Sequence, residues 1–333
     1  MTVLAIGADD IRDAATQIEG AAVYTPLLEN SRLNARVGRR VLIKFEGAQH
    51  TGSFKFRGAY NRLSRIAEAH RPAGVVAWSS GNHAQGVAAA ARLLGIPAAI
   101  VMPADAPRIK MENTRALGAE IIAYDRLTES REEIATALAT ERGAVLVPSF
   151  DDPHIIAGQG TIGFEILDQA AAAGADLSQI ICCCGGGGLI AGLATAVKAV
   201  APDIAIYSAE PATFDDTARS LVSGTRETVA AGARSICDAL LAPSPGELTF
   251  PINKALLSGG LSVTDDEVRA AMRYAFDTLK LVAEPGGTVA LAALLHDKVP
   301  ASDAPIAIVI SGANVDPADY AAILSAAPSP TPA

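Results

Sequence analysis

Charge is scarce in this sequence, and no stretch concentrates it in one sign. Charged residues are 19% of the 333, with 36 acidic against 27 basic side chains and a formal net charge of -9. Without a Lys/Arg cluster there is no electrostatic footprint for nucleic acid. No apolar run is long enough to span a bilayer. The opening "MTVLAIGADDIRDAA" has no basic stretch ahead of an apolar one, so no secretory signal is expected. Cysteine is also rare. Of four, Cys182, Cys183 and Cys184 are consecutive. Neighbours on a strand face opposite ways, so these three cannot jointly bind a metal or found a disulfide framework. They read as small buried residues of a core strand. Together these absences predict a soluble cytoplasmic protein with small-molecule partners, bound to neither nucleic acid nor membrane.

Half of the chain is hydrophobic, enough for a large core. Short β-like runs alternate with helical stretches: "VLIKFE", "GVVAWSS", "AAIVMP", "AEIIAYD", "AVLVPSF", "QIICCC", "AIYSAEP" and "PIAIVISG". Continuous apolar runs separated by helices predict buried parallel strands in an α/β architecture. Ligands in such sheets sit beyond the carboxyl ends of the strands. There the sequence places "SSGNH", "GGGG" and "SGANVD", which predicts one site assembled from distant segments. The Pro-rich tail "APSPTPA" reads as disordered.

"CCCGGGGLIAG" puts Gly185, Gly186, Gly187 and Gly188 between a strand and a helix. Backbone N–H groups of such a loop can cradle a phosphate, and the helix dipole adds to the attraction. A Walker A loop is excluded, because no Gly-Lys-Ser/Thr follows. A dinucleotide fingerprint fits in part: Gly185, Gly187 and Glu210 suit it, but Ile190 stands at the third glycine position. A phosphate cup for a mononucleotide-sized cofactor remains, as does a purely structural turn.

Lys55 lies between Phe54 and Phe56 in "HTGSFKFRGAY" and follows Gly52 and Ser53. With Ser53 as cap, it would occupy the first turn of a helix, where the dipole disfavours an ammonium. Apolar flanks disfavour it further. A lysine that is easily deprotonated suits Schiff-base chemistry, and a surface lysine fits the same residues. An imine-forming lysine beside a phosphate cup suggests pyridoxal 5′-phosphate (PLP).

In order and spacing, "TGSFKFRGA", "SSGNHAQG", "GGGGLIAG", "AEP" and "SGANVD" resemble the fold-type II PLP enzymes, in the threonine/serine dehydratase and serine racemase branch. The resemblance covers roughly residues 20–320. It implies a two-domain, tryptophan synthase β-like α/β fold with open, mostly parallel sheets flanked by helices. Residues 1–69 and 148–333 would form a large PLP-binding domain, and 70–147 a small mobile one. It further implies a homodimer or homotetramer. No C-terminal regulatory domain is expected after "SGANVD".

By the same resemblance Lys55 is the Schiff-base lysine and moves the Cα proton. Phe54 stacks beside the pyridine ring. Asn82 bonds the ring oxygen. Gly185 to Gly188 and Leu189 hold the phosphate, Glu284 lies near the cofactor, and Ser311 meets the pyridine nitrogen. Ser79, Ser80, Asn82 and His83 bind the substrate carboxylate. Ser80 matches the second acid/base of racemases, although dehydratases keep a serine there too. "AEPATFDD" resembles a divalent cation site, with Glu210, Asp216 and the Phe214 carbonyl as hard oxygen ligands for Mg²⁺ or Ca²⁺.

The activity implied is β-elimination of water from a 3-hydroxy amino acid, giving a 2-oxo acid and ammonia. Threonine is the expected substrate, with serine also accepted. Ala239 and Ala242 in "DALLAPSPGELTF" depart from the racemase-like wording toward that of bacterial dehydratases. Arg131 aligns with an arginine able to meet a second carboxylate, which would favour 3-hydroxyaspartate. It also fits a surface helix start capped by Ser130 with Glu133 completing the box. Serine racemase is the further alternative.

Overall fold

The computed structural model describes residues 4–79, 81–106 and 108–326. The strands are β1 (Leu27–Glu29), β2 (Val41–Phe45), β3 (Val75–Trp78), β4 (Ala98–Pro103), β5 (Glu120–Tyr124), β6 (Val145–Leu146), β7 (Gln179–Cys183), β8 (Ala205–Pro211), β9 (Gly259–Val263) and β10 (Ile306–Ile310). The helices before the glycine run are α1 (Ala8–Ile18), α2 (Ser31–Val37), α3 (Lys55–Ser64), α4 (Asn82–Leu94), α5 (Arg108–Ala116), α6 (Arg131–Arg142) and α7 (Pro153–Ala172). After it come α8 (Gly188–Val200), α9 (Asp216–Ser223), α10 (Thr249–Leu256), α11 (Asp265–Tyr274), α12 (Val289–Leu295) and α13 (Pro317–Ser325).

Two sheets result. One has six strands in the order β1-β2-β10-β7-β8-β9, and the other has four in the order β5-β4-β3-β6. Only the β1–β2 pair is antiparallel among the described strands. Every residue of β7 and β10 is buried, as expected of central strands covered on both faces. Cys182, Cys183 and Cys184 are buried and unbridged, as their place on a core strand predicts. "AVLVPSF" yields only a two-residue strand, Val145–Leu146. Among the described residues no helix is long and apolar enough to cross a membrane.

Two helices that carry the expected chemistry, α3 and α8, both rest on α7. Glycines make this close approach feasible. A Cβ on Gly158 of α7 would lie 2.7 Å from the Gly58 Cα of α3, and one on Gly160 2.8 Å from the Gly192 carbonyl carbon of α8. A buried ion cluster ties α3 to α7 and to Glu46. The Arg57 guanidinium is fully buried; it meets Glu46 at 2.9 Å and Glu165 at 2.5 Å, while Lys44 meets Glu165 at 2.6 Å. Buried charges are tolerated when paired and hydrogen-bonded in this way.

Candidate active site

Lys55 begins α3, as expected, but Ser53 does not cap the helix. The N-cap position is Phe54, with helical backbone angles. The Ser53 hydroxyl is buried with no partner among the described residues. Ser53 instead forms an antiparallel bridge with Gly312, while the Phe54 N–H donates to the Ser311 carbonyl and the Ala313 N–H to that of Gly52. The lysine turn is thereby stapled to "SGANVD".

The Lys55 ammonium donates to the Ser149 carbonyl at 2.7 Å and stands 5.1 Å from the Phe54 ring centroid. Burial lowers its pKa from 10.5 to about 8, against the opposing charges of Cys183 and Glu284. A substantial neutral fraction at mild pH follows, as imine chemistry requires.

The glycine run links β7 to α8, and its first helical turn has no side-chain cap among the described residues. The uncapped N–H groups of a helix N-terminus suit an anion. A Cβ on Gly186 would lie 2.4 Å from the Phe150 ring. Gly187 has φ +93°, and a Cβ there would lie 2.6 Å from the Asn253 amide nitrogen. The run is therefore required sterically by its packing against Phe150, Thr249 and Asn253. The Gly186 carbonyl accepts from the Thr249 hydroxyl at 2.6 Å, tying the loop to α10.

Asn82 opens α4, and its amide is engaged at both ends. Nδ2 donates to Glu284 Oε1 at 2.6 Å, and Oδ1 accepts from Asn314 Nδ2 at 2.8 Å. Asn314 also donates to the Thr51 carbonyl at 2.7 Å. Asn314 was missed in the sequence, where it carries no signal beyond its place in "SGANVD". Burial pushes the Glu284 carboxyl up to about 8, with the Asp238 charge adding and the Asn82 bond opposing. The folded state thus keeps a proton on Glu284 that the unfolded chain releases. Its contribution to stability is complete below pH 4.5 and is lost as the pH rises to about 8. We expect the Glu284→Gln apoprotein to lose less thermal stability than the parent apoprotein across this window. Parallel melting profiles would contradict a protonated Glu284.

Ser311 is buried immediately after β10, where it helps lower the pKa of the Cys183 thiol. The Cys182 thiol and then Ser311, with Lys55, hold the Cys183 thiol below its ordinary range despite burial. Cys183 was read from the sequence as a core residue alone; in the fold it also borders the site.

His83 Nε2 lies 2.9 Å from the Val147 carbonyl, and Nδ1 has no partner among the described residues. Burial, then Lys55, push its pKa down to about 3, so the ring is neutral. With its proton on Nε2 toward Val147, the ring offers an acceptor and not the donor that a carboxylate needs. Ser79 is half-buried, its hydroxyl accepting from the Gly81 N–H at 3.2 Å. Ser80 lies outside the described residues.

Arg131 is not brought to this site. It starts α6 on the surface, behind a Ser130 cap, and pairs with Glu132 at 2.8 Å with its side chain 46% exposed. Glu210 and Asp216 are buried. Glu210 accepts from the backbone N–H groups of Thr217 and Ala218 at 3.0 and 2.8 Å, while Asp216 Oδ2 is buried without a partner among the described residues. Burial raises both carboxyls, with Asp216 also raising Glu210. No cluster of three His, Cys, Asp or Glu side chains suited to a metal occurs among the described residues.

A family model described as "Pyridoxal-phosphate dependent enzyme" matches residues 18–312. The chain belongs to this family. It is 44% identical to an L-threo-3-hydroxyaspartate ammonia-lyase of a Pseudomonas species, over 95% of this chain and 97% of that one. It is 39% identical to the L-threonine ammonia-lyase of Thermotoga maritima, over 92% and 75% of the two chains. The structure of maize serine racemase superimposes with a TM-score of 0.90 at 37% identity, covering 96% of each chain. The fold-type II architecture expected from the motifs is thus confirmed.

The residues present fit the cofactor of a pyridoxal-phosphate dependent enzyme. The glycine cradle has no room for side chains, the adjoining helix end is uncapped, and a half-buried lysine of lowered pKa lies within the same cluster of segments.

Proposed function

We propose that this protein is a PLP-dependent ammonia-lyase that removes water from a 3-hydroxy amino acid, with threo-3-hydroxyaspartate preferred. The observation that carries the lyase reading is Lys55, half-buried and readily neutral, on a turn stapled to Ser311 and Gly312, with its amine on Ser149 next to the Phe150 that packs against the glycine loop. Two relatives named as L-threo-3-hydroxyaspartate ammonia-lyases, 44% and 38% identical, move that substrate ahead of threonine.

Gly185 to Gly188 and Leu189 would hold the phosphate. Phe54, Asn82, Glu284 and Ser311 would surround the ring, and Lys55 would bind the aldehyde. When bound, PLP supplies an electrophilic carbonyl for the substrate amine and an electron sink for the adjacent carbon. The Lys55 amine takes the Cα proton. Ser79, Ser80, Asn82 and the α4 N-terminus receive the α-carboxylate. Loss of the β-hydroxyl as water and hydrolysis of the resulting enamine then give a 2-oxo acid and ammonia. Ser311 brings no carboxylate to the ring nitrogen, which keeps the electron sink moderate and lets elimination compete. Residues 70–147 would move as the small domain and close the site. Glu210, Asp216 and the Phe214 carbonyl would hold a hard divalent cation, and the unpartnered Asp216 oxygen fits that role. A cytoplasmic homodimer or homotetramer completes the reading.

The test is ammonia and 2-oxo acid release by the PLP-loaded protein with Mg²⁺. The panel is L-serine, L-threonine and the 3-hydroxyaspartate stereoisomers. We expect threo-3-hydroxyaspartate to show the highest kcat/KM. Turnover chiefly of threonine would establish the second reading, which the surface position of Arg131 favours. No release, with inversion of serine followed by chirality, would make the protein a racemase.

A further inference from the structure

We propose that Lys110 recognises the side-chain carboxylate of a dicarboxylic substrate, and that Asp238 occupies Lys110 until that substrate arrives. This rests on the lyase reading above and names the residue behind its substrate class.

Lys110 lies on α5, next to the four-stranded sheet, while Asp238 begins the short 3-10 turn Asp238–Leu240 after α9. Their side chains form an ion pair across the two parts of the fold. The turn that carries Asp238 walls the cofactor cradle. A Cβ on Gly185 would lie 3.2 Å from the Leu240 Cα, and one on Gly286 would lie 3.3 Å from the Ala239 Cβ. Both charges also reach the buried Glu284 carboxyl, Asp238 raising its pKa and Lys110 lowering it. Glu284 in turn holds Asn82. The ion pair thus stands at the edge of the site, over residues that contact the cofactor in the proposed function.

Burial of the two partners is unequal. The Lys110 side chain is 16% exposed and that of Asp238 is 51% exposed. Asp238 can swing into water at small cost, whereas Lys110 stays covered and keeps its need for an anion. The β-carboxylate of 3-hydroxyaspartate meets that need; the methyl of threonine and the hydrogen of serine do not. Arg131, the residue expected from sequence to supply this contact, is held by Glu132 on the surface.

The experiment compares the PLP-loaded parent with Lys110→Met, Lys110→Arg, Asp238→Asn and Arg131→Ala. It measures kcat/KM for threo-3-hydroxyaspartate against threonine. It also measures binding of L-aspartate against L-2-aminobutyrate, through the visible cofactor band. These two ligands lack the leaving hydroxyl, so the second readout is independent of elimination. Losing a charge-assisted contact should lower the hydroxyaspartate-to-threonine ratio about 30-fold in Lys110→Met, and the aspartate-to-aminobutyrate ratio similarly. Lys110→Arg should restore most of both ratios, and Asp238→Asn should raise them. A uniform loss for all ligands in Lys110→Met, or a selective loss in Arg131→Ala alone, would overturn the proposal. If the parent releases no ammonia but the binding ratio still falls in Lys110→Met, the lyase reading fails and the Lys110 assignment stands. If the parent eliminates water from threonine and neither ratio responds to Lys110, the reverse holds.

Discussion

Lys55→Ala should lower kcat by about 10⁴-fold or more and abolish the visible Schiff-base absorption at the same time. The side chain has two roles that no neighbour duplicates. In the proposed function its amine would bond the cofactor aldehyde, and the same amine, once displaced, would take the Cα proton. His83 cannot replace it as a base at neutral pH, because a ring with a pKa of about 3 has a poor proton affinity. The fold should survive the change, since among the described residues the amine hydrogen-bonds only the Ser149 carbonyl. Borohydride reduction followed by peptide mapping should place the cofactor on Lys55 in the parent and on no residue in the variant. Full turnover by the variant would sink the assignment.

Gly192→Ala should show the largest loss of stability among conservative changes near the site, about 3 kcal/mol by the usual cost of overpacking. The added methyl would lie 2.2 Å from the Ile156 carbonyl oxygen and 2.7 Å from the Gly160 Cα and nitrogen. All three are backbone atoms of α7, so no side chain can turn aside to make room. The helices must separate. α8 begins at Gly188, one turn before this contact, so the displacement reaches the phosphate cradle. PLP affinity should therefore fall along with the melting temperature. Equilibrium dialysis against PLP and thermal unfolding of the apoprotein measure the two effects separately. A stable variant with normal PLP affinity would show that the α7–α8 contact is more pliant than its geometry indicates.

Much of the architecture was legible in the chain because it is written in local backbone requirements. Apolar runs such as "QIICCC" and "PIAIVISG" can be satisfied only by burial on both faces, and they became β7 and β10. The glycine run marked a backbone that other residues cannot adopt or fit. The lysine between two phenylalanines indicated desolvation, and in the structure it is half-buried with a pKa lowered by desolvation. Length limits of single strands were less legible: "AVLVPSF" spends most of its residues bending toward α7, where Ser149 meets Lys55 and Phe150 fills the space beside the glycines.

What the sequence by itself determined is therefore the α/β layering and the family, and it singled out the lysine and the glycine loop on which the proposal rests, each carried by contiguous residues. The tertiary structure alone decided which polar side chains converge. The Asn82 amide is divided between Glu284, 202 residues away, and Asn314, 232 residues away. Lys110 finds Asp238 across 128 residues. Ser53 gives up a helix cap for a bridge to Gly312, and Arg131 stays with its neighbour Glu132 instead of entering the site. The physical reason is that a hydrogen bond or ion pair depends on distances of about 3 Å between side chains. Local periodicity constrains such distances within one element, whereas between elements they are set only when the sheets and helices pack.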